Sequence, residues 1–492
     1  MSESRYRYRL YTLLLALAIA GGALGLAVGW LSAASPEVVH AAPGDSLYPS
    51  VSDRFGIGVN PAYSDVTDYD VAVLGAGWYV DWRTRLSPPF PAGLDYMQIV
   101  RLDGDTFQPD LPTIADIARA NPGVVWIVGN EPDCVWQDSS TPDQYARVYQ
   151  QVYRLLKSVD PTSRVTIGGI VQVTPLRLQW LEAVLSAYQS RYGEPFPVDL
   201  WNIHTFILQE KSCMAYPLDC WGAEIPPGIG ASIGVEWAIT EHDHLPYIVE
   251  QIERFRQWMY DRGDRDKELI VSEYGILMPD SYGYDAARVE TFMLGTFDYF
   301  LNATDPVLGL PADGNRLVQR WAWYSLNDKR FEGHTSHSHL FDPDSKALTP
   351  LGIAFRDYVS PLFSPYVDVL PAAIAISPSQ PLASGSQPVT ITLTGQVRNG
   401  GNTDTGDVSV YFWVGDPSQA IGVTQTLTTL PARSLGSLSV EWTGVTPGPY
   451  VVGVTVDASN GIVEADEGNN ERSRQLLVAL QRMYLPFVAR NH

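Results

Sequence analysis

Cysteine is scarce in this sequence, with only Cys134, Cys213 and Cys220 among 492 residues. So few cysteines exclude a small fold held by several disulfides, and their spacing matches no zinc-finger pattern. The histidines His334, His337 and His339 also lack a standard zinc spacing. We therefore expect no metal and no other cofactor.

Basic residues are also few, since 33 Lys and Arg face 55 Asp and Glu and give a formal net charge of -22. Nucleic acid is excluded as a partner, because phosphate binding needs a basic surface. The sequence is instead rich in aromatic residues, with 14 Trp and 26 Tyr. An acidic, aromatic-rich surface suits a neutral partner such as a polysaccharide.

The N-terminal segment has the composition of an export signal. Arg5, Arg7 and Arg9 precede the apolar run LYTLLLALAIAGGALGLAVGWL, and VVHAAPG then offers a cleavage site. The run is long enough to remain as a membrane anchor, so residues 1–42 are predicted to be either a signal peptide or a signal anchor. Both alternatives place the rest of the chain outside the cytoplasm.

An oxidising compartment favours one disulfide. Six residues separate Cys213 from Cys220 in SCMAYPLDCWG, and a loop this short closes easily. We predict that these two pair and that Cys134 stays free, although a pairing through Cys134 is the competing alternative.

Short apolar runs alternate with amphipathic stretches between residues 55 and 365. The stretch beginning at the capping residue Thr141, for example, places Tyr145, Val148 and Val152 on one helical face. Eight runs are typical of strands: 54–60, 75–82, 96–104, 124–132, 164–172, 198–206, 268–276 and 318–326. Eight alternating units predict a (β/α)8 TIM barrel. An open doubly wound sheet is the alternative, but no Gly-rich nucleotide turn opens a helix to support it.

The composition changes after the predicted barrel, to which we assign residues 50–365. A Pro- and Ser-rich linker is predicted at 366–374, and short alternating strands with Gly- and Asn-rich turns then predict an all-β, immunoglobulin-like sandwich at 375–480. The segment QRMYLPFVARNH, residues 481–492, is a C-terminal tail. We expect the whole chain to be a monomer.

The candidate site residues lie at the carboxyl ends of the predicted strands, where barrel enzymes place their chemistry. The fourth strand ends in Asn130-Glu131, the sixth in His204 and the seventh in Glu273. Two glutamates facing each other could cleave a glycosidic bond, one as proton donor and the other as nucleophile. Further aromatic and polar candidates are Trp78, Arg101, Trp136, Tyr274, Trp321 and Trp323, and the early strand ends also carry Asn60, Asp81 and Trp82. Arg101 is the candidate for keeping the nucleophile ionised.

The motifs GNEP on strand four and SEYG on strand seven resemble those of the large clan of retaining (β/α)8 glycoside hydrolases. The resemblance implies that Glu131 is the acid/base, Glu273 the nucleophile, Asn130 a ligand of the sugar 2-hydroxyl and Trp323, or Trp321, the floor of the cleaved subsite. NEPD is similar to the motif of fungal and bacterial β-1,3-glucanases related to a group of cell-wall proteins, and WNIHTF is similar to the His-x-aromatic strand six of xylosidase-like families. A Tyr common on strand six of the clan is replaced here by His204 and Phe206.

The C-terminal sandwich resembles the bacterial adhesion-related (CARDB) domain, through GQVRNGGNTDTG and VTVDASNGIVEADEGNN. The resemblance implies a spacer or binding module. The whole sequence therefore predicts a secreted retaining glycosidase acting on a polysaccharide. A non-catalytic carbohydrate-binding or adhesion protein built on the same barrel is the alternative.

Overall fold

A computed structural model describes residues 47–329, 334–383 and 387–480. The predicted segments 1–42 and 481–492 lie outside these residues. No helix in the described part of the chain is long and apolar enough to cross a membrane. The mixed α/β class and the C-terminal β-sandwich expected from the sequence are both present.

The first part of the chain alternates strands and helices. Its strands are β1 (Phe55–Gly58), β2 (Trp78–Val80), β3 (Asp95–Tyr96), β4 (Gln98–Asp103), β5 (Thr106–Gln108), β6 (Val125–Val128), β7 (Arg164–Ile167), β8 (Trp201–His204), β9 (Leu269–Tyr274) and β10 (Arg320–Tyr324). Its helices are α1 (Leu111–Ala120), α2 (Pro142–Val159), α3 (Pro175–Tyr192), α4 (Leu245–Asp261), α5 (Ala286–Asn302) and α6 (Pro350–Val359). Thr141 caps α2 in a reciprocal capping box with Gln144.

These strands form two sheets. One has the order β3-β2-β1-β10-β9-β8, with every pair parallel. The other has the order β5-β4-β6-β7, parallel except for the β4–β5 hairpin. Met97 alone separates β3 from β4, and a parallel bridge joins Ile170 to Ile203 beyond β7. Each of the eight predicted strands therefore contains an observed one.

Two separate cores show which way the strand side chains point. Alternate residues such as Trp321 and Trp323 of β10 belong to the large core shared with the helices. The residue between them, Ala322, belongs to a smaller apolar cluster with Trp78, Val80, Met97, Ile99, Val125, Ile127, Leu200 and Ile270. Because strand side chains alternate between faces, this small cluster marks the face turned away from the helices.

The C-terminal part is a two-sheet β-sandwich with its own apolar core. One sheet has the order β11-β13-β16 and the other β12-β18-β17-β14-β15. The strands are β11 (Val369–Ser377), β12 (Leu382–Ala383), β13 (Val389–Asn399), β14 (Val408–Val414), β15 (Ala420–Leu427), β16 (Leu435–Val445), β17 (Gly448–Val456) and β18 (Glu471–Leu480). The prediction of a linker at 366–374 is wrong for most of that range, because β11 begins at Val369 and pairs with β13.

Buried charges join the sandwich to the α/β part. Arg433 donates to Asp53 (3.2 Å) and to the Gly93 carbonyl (3.1 Å), and Tyr366 also donates to Asp53 (2.7 Å). Asp53 precedes β1 and Gly93 precedes β3. The sandwich thus contacts the amino-terminal ends of parallel strands, opposite the ends that carry the two glutamates.

Candidate active site

The backbone after β6 holds Glu131 in an unusual conformation. Its φ is 46°, in the left-handed region that costs a non-glycine residue about 1–3 kcal/mol. The Glu131 N–H donates to the Gly169 carbonyl at 3.1 Å. Gly168 permits this approach, because a Cβ there would lie 2.6 Å from the Gly129 carbonyl carbon. The surrounding chain therefore fixes the direction in which the Glu131 side chain leaves the strand.

Asp138 fixes the same turn from its other side. One of its carboxylate oxygens accepts the N–H groups of Asn130 (2.7 Å) and Leu102 (2.9 Å), and the other accepts from Nε of Arg101 (2.8 Å). Arg101 is therefore paired with Asp138 rather than with the predicted nucleophile. Sequence reasoning missed Asp138, which lies in a loop without any motif around it.

Glu131, His204 and Glu273 converge from β6, β8 and β9. One carboxylate oxygen of each glutamate and one ring nitrogen of the histidine all lie within 4.8 Å of one another, and all three residues are buried. The structure thus brings together the two carboxylates and the histidine that were selected from the sequence. Asn130 lies beside them and is also buried.

His204 links the turn after β6 to β9. Its Nδ1 lies 3.0 Å from Oε1 of Glu131, and its Nε2 lies 3.2 Å from Oγ of Ser272. Gly169 makes room for the ring, since a Cβ at that position would lie 2.3 Å from it. Burial opposes protonation of the imidazole, but the charge of Glu273 and the hydrogen bond to Glu131 outweigh it and raise the pKa of His204.

Trp82 donates a hydrogen bond to Glu273. Its indole Nε1 donates to Oε2 of Glu273 at 3.0 Å. The indole packs edge-on against Tyr324, with ring centroids 5.5 Å apart. Trp82 lies two residues beyond β2. This position near a strand end is the one feature of the sequence that indicates a role for Trp82 in the site.

A cavity of about 230 Å³ opens onto the two glutamates. The wall of this cavity is largely apolar. It includes Trp136, which is 63% exposed. The other lining residues are Cys134, Gln137, Val171, Phe206, Leu208, Gly222, Ala223, Leu277 and Met278. A larger cavity of about 870 Å³ lies beside His334, His337 and His339 but touches neither glutamate. We place the site at the smaller cavity because it contains the paired carboxylates.

The Cys213–Cys220 disulfide lies in the loop that leads to this cavity. The two Cα atoms are 4.8 Å apart, and Cys134 is free and buried. Gly222 and Ala223, which line the cavity, follow Cys220 after one intervening residue, Trp221. The bridge therefore restrains one wall of the candidate site.

Four aromatic residues selected from the sequence lie elsewhere. Trp323 and Tyr274 pack against each other on the helix side of the sheet, with ring centroids 5.4 Å apart. Trp321 packs on the same side against Phe300. Trp78 lies in the small core at the start of β2 and donates to the Arg54 carbonyl (3.3 Å). None of the four lines the cavity. Strand alternation points Tyr274, Trp321 and Trp323 toward the helices. Trp78 lies at the amino-terminal end of β2, whereas the cavity lies at the carboxyl ends of the strands.

The same three residues offer one histidine and two carboxylate ligands for a divalent metal. In the described part of the chain they are the one His/carboxylate group compact enough to do so. Both ring nitrogens of His204, however, already have hydrogen-bond partners in Glu131 and Ser272. The arrangement therefore fits proton transfer between side chains better than metal ligation.

Comparisons with known proteins identify the C-terminal part. Residues 373–474 match the CARDB family model. A CARDB domain from Pyrococcus furiosus, solved in complex with di-metal ions, is similar at 22% identity over 24% of this chain and 96% of that one, with a TM-score of 0.20. No curated protein matches the sequence.

The α/β part is similar to solved endo-β-1,3-glucanases. A GH128 subgroup II enzyme from Pseudomonas viridiflava shows 16% identity over 62% of this chain and 96% of its own, with a TM-score of 0.40. A subgroup I enzyme from Amycolatopsis mediterranei, in complex with laminaritriose, shows 15% identity over 62% and 99%, with a TM-score of 0.39. Similarity at this level supports no conclusion about function. Any such conclusion must come from the side chains around Glu131 and Glu273.

Proposed function

We propose that this protein is a glycoside hydrolase that cleaves β-glycosidic bonds of a polysaccharide with retention of anomeric configuration. The observation that carries the proposal is the pair of buried carboxylates whose nearest oxygens lie within 4.8 Å. Retaining enzymes hold their two carboxyl groups about 5–5.5 Å apart, whereas inverting enzymes leave about 6.5–9.5 Å for a water molecule. The close approach of Glu131 and Glu273 favours double displacement.

In the first step, a carboxylate oxygen of Glu273 forms a bond to the anomeric carbon. The bond from that carbon to the leaving oxygen breaks, its electron pair stays on the leaving oxygen, and Glu131 protonates that oxygen. Water deprotonated by Glu131 then attacks the anomeric carbon and releases the Glu273 carboxylate. The hydrogen bond between His204 and Glu131 supports this assignment, because it places a transferable proton next to Glu131.

The proposal includes the architecture and location of the enzyme. We propose that the two parallel sheets form one closed (β/α)8 barrel, since Met97 alone interrupts β3–β4 and Ile170 bridges to Ile203. We also propose export from the cytoplasm, by a segment at 1–42 that is either cleaved or retained as an anchor. The Cys213–Cys220 disulfide is compatible with that location.

The test is hydrolysis of a panel of β-1,3-glucan, other β-glucans, xylan and mannan by the full chain. We expect activity on at least one, with the product first appearing in the anomeric configuration of the substrate by NMR. Glu273→Gln should lose more than about 10⁴-fold of kcat, because no covalent intermediate forms. Glu131→Ala should be least impaired with an activated leaving group, and azide should then yield a glycosyl azide of retained configuration.

Glu182→Gln is the matched control, because Glu182 is an exposed glutamate on α3 that contacts Arg262 rather than the cavity. It should keep wild-type activity. An inverted first product would contradict retention. Binding of a polysaccharide without any hydrolysis would instead support the non-catalytic carbohydrate-binding alternative.

A further inference from the structure

We propose that Trp82 is the positioning residue for the nucleophile, and that its indole N–H stabilises the Glu273 carboxylate as the glycosyl-enzyme ester breaks down. This inference rests on the proposed function and adds a residue to it. Its basis is the 3.0 Å hydrogen bond from Nε1 of Trp82 to Oε2 of Glu273.

The chain holds the Trp82 ring in one place. Trp82 has a φ of 57°, a left-handed conformation that a bulky residue adopts only when its surroundings enforce it. Tyr324 packs against one side of the indole, and Gly58 lies against its six-membered ring. Any side chain at Gly58 would begin 3.0 Å from Cη2 of Trp82. The N–H is therefore pre-organised toward Glu273 before substrate arrives.

The two glutamates have hydrogen-bond partners of different chemistry. Glu131 contacts an imidazole, which can carry or release a proton near neutral pH, whereas Glu273 contacts an indole N–H, which only donates. A permanent donor stabilises an ionised acceptor without transferring its proton. This difference matches the separate roles of acid/base and nucleophile.

The N–H should matter most in the second step. During that step the ester bond between Glu273 and the anomeric carbon breaks, and its electron pair returns to the carboxylate. Negative charge therefore develops on the group that Trp82 contacts, as in an oxyanion hole. In the first step charge leaves the same carboxylate, so the hydrogen bond gives no comparable advantage there.

The test is Trp82→Phe, assayed with a 2,4-dinitrophenyl β-glycoside of the sugar that the wild-type enzyme hydrolyses. Dinitrophenolate leaves without a proton, so ester breakdown should limit the variant. We expect kcat to fall about tenfold or more, as for loss of a hydrogen bond to a charged group. KM should fall in parallel, and rapid mixing should show a burst of one dinitrophenolate per enzyme.

A matched control separates this role from a structural one. Trp323 also donates through Nε1, to the Ser338 carbonyl at 2.8 Å, but it lies in the core away from the cavity. Trp323→Phe should lower the thermal midpoint of unfolding without a burst or a fall in KM. Trp82→His, which keeps an N–H donor, should recover part of the kcat lost in Trp82→Phe.

Unchanged kcat in Trp82→Phe, or equal losses in kcat and kcat/KM without a burst, would overturn the inference while leaving the proposed glycosidase intact. If the Trp82→Phe chain misfolds, Trp82→His decides the question. A fall in kcat and KM together with a burst supports the inference, whereas equal losses in kcat and kcat/KM without a burst overturn it. An inactive wild-type protein on the whole panel would overturn the proposed function and this inference together.

Discussion

Nδ1 of His204 lies 3.0 Å from Oε1 of Glu131, and both side chains are buried. The contact joins the end of β8 to the turn after β6 and puts an ionisable base beside the proposed acid. Glu273 adds its negative charge to the same pocket, so the protonated imidazole is favoured despite burial and the pKa of His204 is raised. The site is therefore coupled to pH through a residue other than the two carboxylates.

His204→Gln should change how stability depends on pH. Because the folded-state pKa of His204 is raised above its ordinary value of 6.5, the protonated ring stabilises the fold fully below pH 6.5. That contribution is lost as pH rises through the folded-state pKa. Urea denaturation across pH 5 to 9 should show the wild-type advantage over His204→Gln shrinking with increasing pH.

His242 gives a control of opposite sign. Its Nδ1 contacts the Ile207 carbonyl and its Nε2 accepts from Leu277 N–H, and burial lowers the pKa of His242 to about 4. The unfolded chain then binds more protons between about pH 4 and 6.5, so the wild-type advantage over His242→Gln should grow with pH there. A His204 difference that also grew with pH would contradict the proposed pairing.

Trp136→Ala should weaken substrate binding without destabilising the protein. Trp136 is 63% exposed and lines the cavity beside Glu131, so its ring is available to stack on a sugar. We expect KM to rise about tenfold, equivalent to about 1.4 kcal/mol. The free energy of unfolding should change by less than about 0.5 kcal/mol, as for surface substitutions.

Tyr260 is a comparable exposed aromatic residue, at 44%, that does not line the cavity. Tyr260→Ala should leave KM unchanged. Equal rises in KM for the two variants, measured by initial rates on the same polysaccharide, would remove Trp136 from the binding site.

Arg433→Met should destabilise the whole chain. Arg433 is buried in the sandwich but contacts Asp53 of the α/β part, whose pKa is raised by burial although Arg433 and Tyr366 oppose the rise. Removing one partner of a buried pair costs about 3–5 kcal/mol because the other charge stays uncompensated. Urea denaturation monitored by tryptophan fluorescence measures the loss.

The control is Arg119→Met, which breaks an exposed pair with Asp116 on α1. Exposed pairs contribute about 0–1 kcal/mol, so this variant should remain close to wild type. A loss below about 1 kcal/mol in Arg433→Met would contradict a stabilising role for this contact between the sandwich and the α/β part.

Local patterns determined much of this protein in advance. The alternation of apolar runs and amphipathic stretches located the strands and helices of the α/β part, because burial on one face imposes a period that the sequence shows directly. The motifs around Glu131 and Glu273 placed both residues at strand ends. The short spacing between Cys213 and Cys220 predicted their disulfide. The strands, the motifs and this disulfide could all be predicted because each depends on residues that are close together in the sequence.

The tertiary structure decided what depends on distant contacts. Period-two alternation shows that Trp321 and Trp323 share a face, but only packing against α5 reveals that this face is turned from the cavity. Arg101 meets Asp138 across 37 positions, and Trp82 meets Glu273 across 191. Residues 369–374, which were predicted to be part of a linker, belong to β11 because they form hydrogen bonds with β13. The local sequence determines which residues lie at a strand end, whereas the packing of the whole chain determines which side chains those residues contact.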